Sequence, residues 1–228
     1  MDVYKLGRDG AIEFAYSSDN DEIYAADQFN KNNTLIKNAK GFTVGGKEYI
    51  KNHTKSESIK YASGKVKTYS LIDFDNEDTA LGLHEYISNN VDVEFMVASG
   101  LKDGSEKSIV GKDGALKLPA TPGEVTINPF ISYFDKNSIS LFGHNHPDNV
   151  YEIGPSGYDI RMTGGNGNDF EKSRLPGKTI TQADKNASSL FPRTATLFMY
   201  NPVFHKGPKT VYYNQEEVTS IKNGYHKK

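Results

Sequence analysis

Two histidines one residue apart, His144 and His146, are followed at once by Pro147. At the end of a β-strand this spacing puts both imidazoles on one face, where they can reach the same ion. Proline cannot continue a β-ladder, so Pro147 turns the chain away and leaves the imidazoles at a rim. Further along stands Pro155-Ser156-Gly157-Tyr158-Asp159-Ile160-Arg161-Met162-Thr163. If Ser156 opens a helix, Asp159 sits one turn in, and its carboxylate points back toward that rim. Two imidazole nitrogens and one carboxylate form a donor set that suits zinc, with a fourth position left for water in a catalytic site. Taken separately, each piece has a plainer meaning. A His-x-His pair is common in surface loops, and Ser156-x-x-Asp159 is also a helix capping box.

The elements that would position these groups read as follows. Ser138–Phe142 is expected to be the strand that delivers the histidines. Glu77–Ser88 is expected to be a helix, capped by Asp75 or Asn76, with Ala80, Leu83 and Ile87 on one apolar stripe. Val91–Ala98 alternates with period two, so Val91, Val93, Phe95 and Val97 share one face and Asp92, Glu94, Met96 and Ala98 the other. Further strands are expected at Lys107–Val110, Val125–Ile127, Ile131–Phe134, Thr196–Tyr200 and Thr210–Tyr213. A short helix is expected from Ser156 to the Gly164-Gly165 break, then a polar loop over 164–178. Thr181 is expected to cap a further helix, with Asp184 reaching back to it. The first seventy residues read as β-rich. Val3–Leu6 and Ala11–Phe14 flank the turn Arg8-Asp9-Gly10, and a second pair, around Ile23-Tyr24 and Leu35-Ile36, surrounds the polar Asn30-Lys31-Asn32-Asn33. The expected class is α+β, with a β-rich N-terminal extension over 1–70 and a main domain over 71–228.

Composition narrows the chemistry. The chain has 228 residues, 36% hydrophobic and 25% charged, enough for a sizeable core. The 21 glycines point to abundant turns. With no cysteine, disulfides, thiolate catalysis and cysteine-bound zinc are all excluded. A net charge of −2 with no dense Lys/Arg block argues against nucleic acid as a partner. No apolar run approaches the roughly 18 residues of a membrane span, so no membrane insertion is expected. Met1-Asp2-Val3-Tyr4 leads directly into patterned sequence, without the basic-then-apolar run of a signal peptide. His53, His84, His205 and His226 have no partner at ligand spacing and are expected to be structural or solvated.

His-x-His-Pro followed by Ser-x-x-Asp resembles the signature of the JAB/MPN (JAMM) metallopeptidases. His144-Asn145-His146-Pro147 with Pro155-Ser156-x-x-Asp159-Ile160-x-x-Thr163 is most similar to the RadC branch. The gap from His146 to Ser156 is longer than the family's usual spacing. The resemblance implies a cytidine-deaminase-like mixed sheet flanked by helices, one Zn2+ held by His144, His146 and Asp159, and hydrolysis of amide or isopeptide bonds in a protein or peptide. It also implies a glutamate on an earlier strand, just after the first helix of the domain, which Glu94 matches. In the family that glutamate takes a proton from the nucleophilic water and passes it to the leaving amine. Ser156 would donate a hydrogen bond to the developing oxyanion.

Val3-Tyr4-Lys5-Leu6, the Glu94 segment, His-Asn-His-Pro and Phe198-Met199-Tyr200-Asn201-Pro202 together resemble JAB-like toxin domains of Rhs-type polymorphic toxins. That likeness implies an effector domain of a larger, secreted or delivered bacterial protein, countered by a cognate immunity protein. Two other functions are compatible with the same residues: a non-enzymatic JAMM-like binding module, and a metal-dependent nuclease. Nucleases of the His-Asn-His type, however, space those residues widely and not consecutively.

Overall fold

The computed structural model describes residues 2–61, 63–120, 127–147, 155, 158, 161–163, 169–171, 183–203 and 207–226. The chain begins with strands β1 (Asp2–Leu6), β2 (Ile12–Ser17) and β3 (Asp21–Ala25), then β4 (Phe42–Gly45) and helix α1 (Tyr49–His53). Strands β5 (Thr54–Lys60) and β6 (Val66–Phe74) lead to helix α2 (Glu77–Ser88), followed by β7 (Met96–Lys102) and β8 (Ser105–Asp113). Helix α3 (Ile127–Ile131), β9 (Leu141–Asn145), β10 (Arg161–Thr163) and β11 (Asp169–Glu171) come next. Helix α4 (Ala183–Ser188) and strands β12 (Thr196–Asn201), β13 (Lys209–Tyr213) and β14 (Val218–Asn223) complete the chain. The class is α+β, with two mixed sheets and few helices.

The larger sheet has eight strands in the order β14-β13-β12-β9-β7-β8-β6-β5. Only β9 and β12 run parallel; every other neighbouring pair is antiparallel. Because side chains alternate along a strand, the sheet presents two apolar faces. One face carries Ile72, Phe74, Val97, Val110, Leu141, Phe198 and Tyr200 and packs against Ala80, Leu83 and Ile87 of α2. The other carries Leu71, Met96, Ala98, Ile109, Phe142, Leu197 and Met199 and packs against Phe130, Phe134 and Phe191.

The smaller sheet has four strands in the order β2-β1-β3-β4. Its inner residues Tyr4, Leu6, Ile12, Ile23 and Val44 join the same core cluster as α2 and the first face of the larger sheet. Helix α2 therefore has apolar neighbours from both sheets, consistent with full burial of Ala80, Leu83 and Ile87. The four-stranded sheet ends at Gly45, and the expected division at residue 70 falls inside β6. The β1–β2 hairpin matches expectation. Strand β3, however, pairs in parallel with β1 and takes β4 as its other neighbour. Leu35 makes only an isolated bridge to Phe29.

Several local readings are corrected. Ile127–Ile131 is a helix that takes in Ile127 and Ile131, the ends of the strands expected over Val125–Ile127 and Ile131–Phe134; residues 125 and 126 lie outside the described residues. Pro129 lies in the first turn, where the missing N–H is tolerated, and Phe130 and Phe134, four residues apart, are both buried in one core. The strand expected over Val91–Ala98 begins only at Met96, although the alternation is retained: Val91, Val93 and Phe95 are buried and Asp92 is exposed. Arg161–Thr163 is a strand paired with Asp169–Glu171, where a helix and then a loop were expected. Among the described residues, no helix is long and apolar enough to cross a membrane.

Candidate metal centre

Strand β9 lies at the middle of the larger sheet, between β7 and β12. Its alternation sends Phe142 and His144 to the face that also holds Phe191. Gly143 points to the opposite face, where Phe198 of the paired strand lies directly over it. A Cβ at residue 143 would come within 2.5 Å of three atoms of that ring, so the close approach of β9 and β12 requires glycine. Past the end of β9, the His146 N–H donates to the Tyr200 carbonyl at 2.8 Å, and the chain then meets Pro147. The two imidazoles are thus held by one continuous stretch of paired backbone.

The Nε2 atoms of His144 and His146 lie 3.1 Å apart. Asp184, in the first turn of α4, brings Oδ1 to 3.5 Å from His144 Nε2 and Oδ2 to 4.0 Å from His146 Nε2. One donor atom from each of these three residues falls within 4.8 Å of the others, a group able to hold a metal ion. Around a tetrahedral ion with ligand distances of about 2.0–2.1 Å, donor atoms lie about 3.3–3.4 Å apart. The His144–His146 and His144–Asp184 separations, 3.1 and 3.5 Å, are near that edge length, and the His146–Asp184 separation, 4.0 Å at its shortest, is longer. A second carboxylate stands beside it, with Glu94 Oε1 3.9 Å from His146 Nε2. The His144 side chain is only 5% exposed and that of Asp184 12%. His144 Nδ1 is buried without a hydrogen-bond partner among the described residues.

The two imidazoles sit in electrostatically unequal surroundings. Burial, reinforced by the charge of His144, pushes the His146 imidazole down to about 4. Burial also pulls on His144, but the Asp184 carboxylate and the charge of Glu94 outweigh it and raise the imidazole above its ordinary value. Two buried nitrogens this close cannot both carry protons facing each other. A proton on one of them, or a cation bound by both, would satisfy the pair. Neutral imidazoles with a neighbouring carboxylate are the protonation state a metal requires.

Of the expected site residues, the structure brings together His144, His146 and Glu94. Glu94 lies just before β7 and not within it. Ser156 and Asp159 lie outside the described residues. The acid that joins the two histidines as a possible third ligand among the described residues is Asp184. Its sequence signal was present: Thr181-x-x-Asp184 has the same hydroxyl-x-x-carboxylate spacing as Ser156-x-x-Asp159. Both read locally as capping boxes, and what marks Asp184 is its carboxylate 3.5 Å from His144 Nε2. Of the remaining histidines, His84 is fully buried and hydrogen-bonded, and His226 stacks on Phe198. His53 pairs with Asp73 at 2.6 Å, and His205 lies outside the described residues. Comparison with protein-family models, with curated proteins and with solved structures finds no match to this chain.

Proposed function

We propose that the chain is a zinc-dependent hydrolase of the JAB/MPN (JAMM) type that cleaves amide or isopeptide bonds in a protein or peptide. The observation that carries this reading is the meeting of His144 Nε2, His146 Nε2 and the Asp184 carboxylate, with a second carboxylate, Glu94, 3.9 Å from His146. In this reading Asp184 takes the ligand position that the sequence motif alone assigned to Asp159. Zinc, when bound there, supplies a Lewis acid and lowers the pKa of water to about 7. Glu94 takes a proton from the attacking water and delivers it to the departing amine nitrogen. Ser156, by resemblance to the family, donates a hydrogen bond to the carbonyl oxygen as it gains charge. The preceding helix α2, the Glu94 segment and the histidine strand follow one another in the order the JAB/MPN fold uses, which supports that fold assignment. The likeness to JAB-like toxin domains extends the proposal to an effector domain of a larger bacterial secreted protein, with a cognate immunity protein as partner.

The test is elemental analysis combined with turnover of a quenched fluorescent peptide library. Wild-type protein should carry one zinc per chain and cleave members of the library. Glu94→Gln should keep the zinc and lose about 10²–10⁴-fold in rate, while His146→Ala should lose both. Wild-type protein that takes up no zinc, or a Glu94→Gln variant with undiminished turnover, would overturn the proposal. Plasmid nicking abolished by a chelator would favour a nuclease instead.

A further inference from the structure

Glu94 belongs to a segment without a regular ladder of its own, since β7 begins only at Met96. Something else must fix its backbone. The residue between the two histidines supplies that support. Asn145 is fully buried, and its side chain leaves β9 on the side opposite the imidazoles. Its Oδ1 accepts the Phe95 N–H at 2.6 Å, and its Nδ2 donates to the Val93 carbonyl at 3.1 Å. One carboxamide therefore grips the backbone on both sides of Glu94. The Asn145 N–H also donates to the Phe95 carbonyl at 3.2 Å.

A second buried group converges on that carbonyl. His84 Nε2 lies 3.2 Å from the Phe95 oxygen, which can only accept, so Nε2 carries the proton. Nδ1 is then the acceptor, and the Tyr225 hydroxyl, 2.7 Å away, donates to it. From Tyr225 through His84 and Phe95 to Asn145, buried polar groups lock the segment that carries Glu94 to the strand that carries both histidines. A serine, threonine or alanine at residue 145 could not make both side-chain bonds. Serine and threonine are too short to span two peptide units, and alanine has no polar atom.

We infer that Asn145 is the positioning residue for Glu94: its carboxamide sets the place of the Glu94 carboxylate relative to the His144–His146 pair. This rests on the metallohydrolase reading above, and the experiment separates the two. The probe is cobalt(II) alone, loaded into wild type, Glu94→Gln, Asn145→Ala, Asn145→Ser and the double variant Glu94→Gln/Asn145→Ser. The readout is the pH midpoint of the change in visible absorption of the bound cobalt, together with cobalt affinity. Glu94→Gln should move the midpoint by about half a pH unit or more, because a charge beside the centre is removed. Each Asn145 variant should move it in the same direction by a smaller amount, with cobalt affinity within about threefold of wild type. In the double variant Asn145→Ser has no carboxylate left to misplace, so the midpoint should match that of Glu94→Gln within about 0.2 unit. Wild-type protein that fails to bind cobalt overturns the metal reading and this inference with it. Cobalt-loaded Asn145 variants with the wild-type midpoint, or additive shifts in the double variant, overturn the inference and leave the metal reading standing. Loss of the folded state in both Asn145→Ala and Asn145→Ser also overturns it, since the residue would then hold the sheet and not the carboxylate.

Discussion

Gly143→Ala tests whether the histidine strand depends on close contact with Phe198. A Cβ at that position would come within 2.5 Å of three ring atoms, where carbon atoms need about 3.5 Å, so the ring or the strand must retreat by at least about 1 Å. The ring has nowhere to go. Phe198 is fully buried, stacked on His226 at 4.7 Å and met edge-on by Tyr225 at 5.8 Å and His84 at 6.4 Å. Overpacking a closed core costs about 1–3 kcal/mol, and this site should lie at the upper end. With an m-value of about 3 kcal/mol/M, the urea midpoint of the metal-free protein should fall by about 1 M. Phe198→Leu in the same background shortens the ring that collides, so it should recover part of that loss in a double-mutant cycle. Because residue 143 adjoins His144, zinc affinity should weaken as well. A midpoint within about 0.2 M of wild type, or no coupling between the two substitutions, would refute the packing argument.

Two further outcomes concern the metal ligands and the buried core. Asp184→Asn should weaken zinc binding at least about 100-fold in competition with a chromophoric chelator, while Asp159→Asn should change it less than about threefold. The reverse ranking would return the ligand role to Asp159. His84 governs part of the acid response. Burial holds its imidazole down to about 3, whereas in the unfolded chain it titrates near its ordinary 6.5. As pH falls between those values the unfolded state gains a proton that the folded state refuses, so stability drops by about 1.4 kcal/mol per pH unit. The contribution is fully present above about 6.5 and is lost on acidification. In urea titrations of metal-free protein from pH 7 to 5, His84→Gln should lose stability less steeply by about one proton. Equal slopes for wild type and variant would contradict the buried neutral imidazole.

How much of this was legible in sequence depends on how local each signal is. Helix α2 runs over Glu77–Ser88 as its apolar spacing and its asparagine cap require, with Asn76 Oδ1 accepting the Thr79 N–H at 2.9 Å. His144 and His146 share a face because strand period alone dictates it. Asp184 was hidden because a carboxylate three residues after a hydroxyl says only that a helix begins; its approach to His144 is a tertiary fact. Ile131–Phe134 read as strand because a short apolar run fits either period, and helix α3 over Ile127–Ile131 was not signalled. The parallel pairing of β1 with β3 and the addition of β14 at the sheet edge depend on long-range contacts. The sequence pattern assigns Asn145 no role of its own; its hydrogen bonds to Val93 and Phe95 do.

The most direct test of the metal centre is diffraction from zinc-loaded crystals recorded on either side of the zinc absorption edge. A single anomalous peak should lie about 2.0–2.1 Å from His144 Nε2, His146 Nε2 and an Asp184 oxygen. No peak between the histidines, or a peak there with the Asp184 carboxylate outside bonding distance, would contradict it.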